Sequence, residues 1–247
     1  MRKKVLITGA DSFLGQEVTK LLKEKKIILF KTSRRKKKGY FNINLEDSNN
    51  LHKTLDKIKP NFIVNLGSID IKRRNSKKKN IESVNIIGNW CKKHNSTLIQ
   101  ASTVSVLLNK RNLYFQTKYL LEGLIRKINC KNTIVRFAGI YGYGNQNKRL
   151  GFNNSIMDAV NGKTPKFIGS KKSKRNYIYV SDAAKVIYKC IVKKINGTIF
   201  ASGHEILSFE EMLNCVSIFF LNKKAIFRNK GSRKDRIYKP SKENRYR

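Results

Sequence analysis

Proline and tryptophan are scarce in this chain of 247 residues, at three and one, and its four cysteines lie far apart. Cys91, Cys130, Cys190 and Cys215 form no CxxC pair, which excludes a disulfide framework and a zinc knuckle. His52, His94 and His204 are isolated from one another and from carboxylates at ligand spacing, so no metal site is expected. No apolar run approaches the ~18 residues that a membrane-spanning helix needs. The apolar stretch after MRKK is also too short for a secretory signal. A cytoplasmic protein without membrane association is the expectation.

Negative charge is the other shortage. Sixteen acidic residues stand against 54 lysines and arginines, a net charge of +38. Such a field draws in polyanions, nucleic acid or a phosphorylated ligand. A composition rich in lysine, asparagine and isoleucine is equally what an AT-rich coding bias produces, and charge alone does not separate the two. The runs RRKKK (34–38), KRRNSKKK (72–79) and KKSKR (171–175) read as solvated loops, since no aromatic residues interleave with them to stack bases. With 40% of residues apolar and 10% aromatic, a folded core is expected and a disordered chain excluded.

What is present is an alternation of short apolar runs with amphipathic patterns, the rhythm of βαβ units. VLIT (5–8), IILF (27–30), FNIN (41–44), FIVNL (62–66), TLIQAS (97–102) and TIVRF (133–137) read as strands. Helices are expected at about 13–23, 48–58, 82–94 and 112–128. Strands this uniformly apolar belong to a parallel sheet covered on both faces. After Gly139 the rhythm loosens. A helix is expected at about 152–161, strands at 176–180 and 197–202, and a helix at 181–192 beginning at Ser181. Ser208 and Glu211 form a capping-box pattern for a last helix at 207–221. The predicted fold class is α/β, a Rossmann-like doubly wound parallel sheet. Residues 1–138 would form the dinucleotide-binding domain, and 139–222 a small lobe interleaved with returning strands. Residues 223–247, with 11 basic and two acidic side chains, read as a loosely held basic tail.

TGADSFLG (8–15) lies directly between the first strand and the first helix. A dinucleotide's pyrophosphate needs a tight turn there, close backbone approach and the free N–H groups of a helix N-terminus. Gly9 and Gly15 fit the turn and the helix-packing roles, with Asp11, Ser12, Phe13 and Leu14 between them. Gly67, after the fourth strand, is a further cofactor-binding candidate. The loop is similar to the TGxxGxxG pattern of short-chain dehydrogenases, with Ser12 in place of the middle glycine. Its Cβ would crowd a phosphate, or its hydroxyl would donate to one. The second strand runs into Ser33, Arg34 and Arg35 with no acid, which favours the 2′-phosphate of NADP(H) over NAD(H).

Tyr114 and Lys118 form a YxxxK pair at the head of an apolar-faced helix, after a strand ending in Ser102 and Thr103. Residues i and i+4 share one helix face, so the ammonium can approach the phenol. A neighbouring cation would favour the phenolate and make the tyrosine an acid/base. Tyr238 and Lys242 match the same spacing but enclose Pro240 and read as chance. Arg136 and Tyr141 read as structural, Arg136 capping a strand end, and Asp182 as a helix-start charge.

The ordered set TGxxxxxG, NLGS (65–68), VNIIGN (84–89), Ser102-Thr103, YxxxK, VRFAGIYG (135–142), NYIYVSD (176–182) and FASGHEILSFEEML (200–213) covers roughly residues 3–213. It resembles the extended short-chain dehydrogenases, close to their NAD(P)-dependent epimerase/dehydratase and dTDP-4-dehydrorhamnose reductase groups. The resemblance implies an NAD(P)-dependent oxidoreductase acting on a nucleotide-activated sugar. Thr103 would hydrogen-bond the substrate oxygen and Tyr114 would be the acid/base. Lys118 would hold the ribose and lower the tyrosine pKa. Asn85 would join the cofactor site, and Ser102 and Arg175 the substrate site. Gly139 stands where many epimerases carry a substrate-binding asparagine, and the segment between Thr103 and Tyr114 is shorter than usual. Val104 and Ser105 after Thr103 supply no second acid/base pair, which argues against dehydratase chemistry. A homodimer is compatible with the resemblance. Two further readings stay open: a non-catalytic dinucleotide-binding regulator of the same fold, and an RNA-binding relative.

Overall fold

Three consecutive residues without solvent exposure, Val5, Leu6 and Ile7, make the first strand a central one, because both of its faces must be covered. The computed structural model describes residues 3–107, 112–142 and 151–228. The chain begins β1 (Lys4–Thr8), α1 (Phe13–Glu24), β2 (Ile28–Ser33), β3 (Phe41–Asn42), α2 (Ser48–Ile58) and β4 (Phe62–Asn65). It continues α3 (Ser76–Lys93), β5 (Thr97–Thr103), a 3₁₀ turn (Val104–Leu107), α4 (Leu113–Ile128) and β6 (Asn132–Phe137). Then follow β7 (Gly139–Tyr141), α5 (Phe152–Val160), β8 (Lys166–Ile168), β9 (Lys174–Arg175), β10 (Tyr177–Tyr179) and α6 (Val180–Lys193). β11 (Gly197–Ala201), β12 (Leu207–Ser208), α7 (Phe209–Leu221) and β13 (Ile226–Arg228) complete the described elements.

Seven strands form one parallel sheet in the order β11-β6-β5-β4-β1-β2-β3, the expected α/β, Rossmann-like arrangement. One face carries α1 and α6, where Val18 and Leu22 meet Ala183, Ala184 and Ile187. The other carries α2, α3 and α4 through Leu55, Ile87, Leu121 and Ile125. Strand order reverses between β1 and β4, so the loops after these two strands part and leave a crevice at their carboxyl ends. Beneath it, Thr8 donates to Asn65, whose amide donates to Gln100 at 2.8 Å. That buried chain ties the ends of β1 and β4 to the middle of β5.

Beside this sheet stand three two-stranded ladders, β7 with β10, β9 with β12 and β8 with β13, and α5 packs on α7. Ser208 and Glu211 make the capping box expected of α7. Three local expectations are corrected. α3 starts at Ser76, so the run 72–79 is partly helical, and Arg73 and Lys79 both bind Glu46 at 2.6 Å. α6 starts at Val180 rather than Ser181, with Asp182 in its first turn paired to Lys185 at 2.8 Å. Residues 226–228, assigned from sequence to the tail, pair with β8, because Phe227 joins Phe167, which stacks on Phe209. The remainder of that tail, 229–247, lies outside the described residues, as does the Tyr238–Lys242 spacing. Among the described residues no helix is long and apolar enough to cross a membrane and no cluster could hold a metal ion.

Candidate active site

The turn from β1 into α1 is shaped by what its glycines exclude. Gly9 has φ +63°, and a Cβ there would lie 2.8 Å from the Gly67 backbone nitrogen. A Cβ on Gly15 would lie 2.2 Å from the Gly9 carbonyl oxygen, so the helix can sit this close to the turn only with hydrogen at that position. Ser12 is the N-cap of α1 at φ −73°, a conformation open to any residue, and its hydroxyl accepts from the Gly15 N–H at 3.1 Å. The serine therefore fills the place of the middle glycine without strain and caps the helix.

The loop opens on a cleft of about 520 Å³. Gly9, Asp11, Ser12 and Phe13 line it from the glycine loop, Arg34 and Arg35 from the end of β2, Gly67 and Ser68 from the loop after β4, and Tyr114 from α4. The size is within the ~300–1,000 Å³ of small-molecule sites. The backbone-only cradle, the helix N-terminus and the cations at one end match the parts of a dinucleotide. Ser33 is buried: its hydroxyl donates to Asp11 at 2.9 Å and accepts from the Arg35 N–H at 3.1 Å. This ties the end of β2 to the glycine loop and leaves Arg34 and Arg35 exposed at the cleft. Leu14 and Gly15 are buried behind the loop rather than in the cleft lining.

Asn112 caps α4 by accepting from the N–H groups of Tyr114 at 2.9 Å and Phe115 at 3.4 Å, which sets Tyr114 in the helix's first turn. One turn on, Lys118 is buried with its Nζ 5.8 Å from the centre of the Tyr114 ring, donating to the Ala101 carbonyl at 3.1 Å. Burial pushes the ammonium down to about 8, against the opposing pull of the Glu122 carboxylate. Burial also raises the Tyr114 phenol above its ordinary value. This corrects the expected lowering: losing water disfavours the phenolate more than a cation engaged with Ala101 favours it. Thr103 is half-buried at the end of β5, and its hydroxyl accepts from the Ser105 N–H at 3.2 Å.

Four sequence candidates stand elsewhere. The Ser102 hydroxyl turns into the interior and donates to Glu122 at 2.6 Å. Asn85 is exposed on α3, where it accepts from Asn89 at 3.0 Å, away from the cleft lining. Arg175 lies with its guanidinium 5.1 Å from the Phe209 ring centre. Arg136 caps no strand end; it forms a buried pair with Glu122. Sequence reasoning missed Asn44, Leu45 and Glu46 after β3, and Ile69 and Asp70 after β4, which also line the cleft. Their signal was positional: each follows a strand whose carboxyl end faces the crevice.

A model of the NAD dependent epimerase/dehydratase family matches residues 5–201. No curated protein matches the chain. Among solved structures, the dTDP-glucose 4,6-dehydratase of Bacillus anthracis in complex with NAD aligns with TM-score 0.80 at 17% identity, over 98% of this chain and 88% of that one. The UDP-N-acetylglucosamine 4-epimerase of Bacillus cereus aligns with TM-score 0.76 at 23% identity, over 94% and 87%. The dTDP-4-dehydrorhamnose reductase of Bacillus anthracis in complex with NADP aligns with TM-score 0.75 at 18% identity, over 94% and 85%. At these identities the three share the fold.

Proposed function

Because the chain belongs to the NAD dependent epimerase/dehydratase family, we propose that it is an NAD(P)-dependent oxidoreductase acting on a nucleotide-activated sugar, of reductase or epimerase type. One observation carries the reading: Tyr114 lines the same cleft as the glycine loop and Arg34, with Lys118 buried one helical turn behind it. The dinucleotide, when bound, supplies or accepts a hydride. The backbone from Gly9 to Phe13 would receive the pyrophosphate at the α1 N-terminus, where free N–H groups and the helix dipole favour an anion. Arg34 and Arg35 would favour the 2′-phosphate of NADP(H), and Lys118 would hold the ribose in exchange for the Ala101 carbonyl. Thr103 hydrogen-bonds the reacting oxygen. Tyr114, its phenol raised by burial, holds its proton at neutral pH and so acts as the donor to a carbonyl oxygen during reduction.

Replacing Tyr114 with phenylalanine tests this, because the ring and its packing remain and only the hydroxyl goes. NADPH affinity should change little, while turnover of a sugar nucleotide should fall by roughly 10²–10⁴. Unchanged turnover would remove Tyr114 from the chemistry. Wild-type protein that binds NADPH but turns over nothing in a panel of UDP-, dTDP- and GDP-sugars would favour the non-catalytic regulator instead.

A further inference from the structure

Glu122 is fully enclosed, yet its carboxylate has partners on three elements. Oε1 accepts from Ser102 of β5 at 2.6 Å and from Nε of Arg136 on β6 at 3.0 Å. Oε2 accepts from Nη2 of Arg136 at 2.5 Å and from Nη2 of Arg126, one turn further along α4, at 3.1 Å. Ser102 and Arg136 are direct partners across the β5–β6 ladder, so the carboxylate grips both strands at one point. That point is one residue before Thr103. On α4, Tyr114, Lys118 and Glu122 recur every four residues and share a face. A buried ion pair stabilises little over a well-packed apolar replacement. Its effect here is therefore on position and field.

We propose that Glu122 is a positioning residue: its carboxylate locks the Tyr114–Lys118 face of α4 onto β5 beside Thr103, and sets a negative charge one helical turn from the Lys118 ammonium. The catalytic meaning of that placement rests on the proposed function; the placement itself does not. The groups around Lys118 single out this carboxylate. β5 offers it the Ala101 carbonyl and, next in sequence, the hydroxyls of Ser102 and Thr103; β6 contributes Arg136, which is spent on Glu122. The residues that α3 buries near its middle and end, Ser83, Val84, Ile87 and Cys91, bring no carboxylate, and burial pushes the Cys91 thiol up so that it stays neutral. On its own helix Lys118 meets the neutral Tyr114 phenol and Glu122.

The test uses the full chain without ligand, following the Lys118 Cε resonance by ¹³C NMR against pH. Wild-type Lys118 should titrate at about 8. Glu122→Gln keeps shape and removes charge, and should lower that midpoint by one unit or more, a tenfold loss of proton affinity. Should the single variant leave Arg136 too costly to bury, Glu122→Gln with Arg136→Met replaces the pair by neutral groups of similar volume, and should show a smaller lowering in the same direction, because loss of the Arg136 cation partly offsets loss of the carboxylate. Glu122→Asp, which retains the charge, should stay within a few tenths of wild type. A midpoint unmoved in Glu122→Gln or in the double variant overturns the proposal, as does a Glu122→Asp midpoint displaced as far as that of Glu122→Gln. NADPH dissociation constants against pH then form a separate arm. If the resonance shifts and NADPH affinity does not follow, the role of Glu122 stands and the ribose contact of Lys118 falls.

Discussion

Gly139 and Tyr177 occupy one space: a Cβ on residue 139 would stand 2.4 Å from Cε1 of the tyrosine ring. The ring in turn packs with Phe152 and Tyr141 at centroid distances of 5.3 and 6.3 Å. The asparagine that many epimerases carry at this position is therefore shut out by an aromatic cluster. Gly139→Asn should destabilise the fold by roughly 1–3 kcal/mol, the usual cost of overpacking. The thermal midpoint should drop, and Tyr177→Ala in the same chain should return part of it. A single variant as stable as wild type would mean that the ring swings aside freely.

At Ser12, cap and ligand can be separated. Ser12→Ala removes the acceptor for the Gly15 N–H and should cost about 1 kcal/mol, whereas Ser12→Gly should cost only a few tenths. Urea unfolding reads both. If the hydroxyl serves only the helix, dinucleotide affinity in Ser12→Gly holds or rises. A marked loss would assign Ser12 a direct contact with the phosphate.

Coenzyme choice turns on the end of β2. Ser33 is occupied with Asp11 and the Arg35 N–H, so the exposed guanidiniums of Arg34 and Arg35 are what a 2′-phosphate would meet. NADPH should bind more tightly than NADH. Arg34→Asp should reverse the order, since losing one charge-assisted hydrogen bond is worth about tenfold to a hundredfold. Calorimetric affinities equal for both coenzymes, in wild type and variant alike, would reduce the cluster to solvated surface.

Lys118 should leave a mark on stability against pH. Its folded-state pKa of about 8 lies below the ordinary 10.5. Below pH 8 both states carry the proton and the full burial penalty is present. Between about 8 and 10.5 the unfolded chain binds more protons than the folded one, so stability rises with pH. Lys118→Met lacks that group. The unfolding free energy of wild type relative to Lys118→Met should therefore climb across this window, by no more than about 3 kcal/mol. A flat difference would mean that Lys118 titrates as a solvated lysine.

The order of elements was legible because it depends on local pattern. Apolar runs such as Phe62, Ile63 and Val64 fit a covered strand, and the window from Thr8 to Gly15 carries its own turn, cap and helix start. Ser208 and Glu211 could be paired from sequence for the same reason, since a capping box spans four residues. α3 begins six residues before its expected start because the lysine-rich first turns of that helix have no apolar stripe to announce them.

By itself, then, the sequence determined the alternation of strands and helices, the glycine turn and the four-residue spacing of Tyr114 and Lys118, all of which are set within a few neighbouring residues. Only the tertiary structure decided where side chains on those elements point and what they lose in water. Ser102 and Thr103 are adjacent in sequence, but a strand sends alternate side chains to opposite faces, so Ser102 reaches Glu122 while Thr103 does not. Lys118 and Tyr114 have the spacing of a cation activating a phenol. The direction of the Tyr114 shift nevertheless follows from its burial, and burial is a property of the packed sheet and helices together.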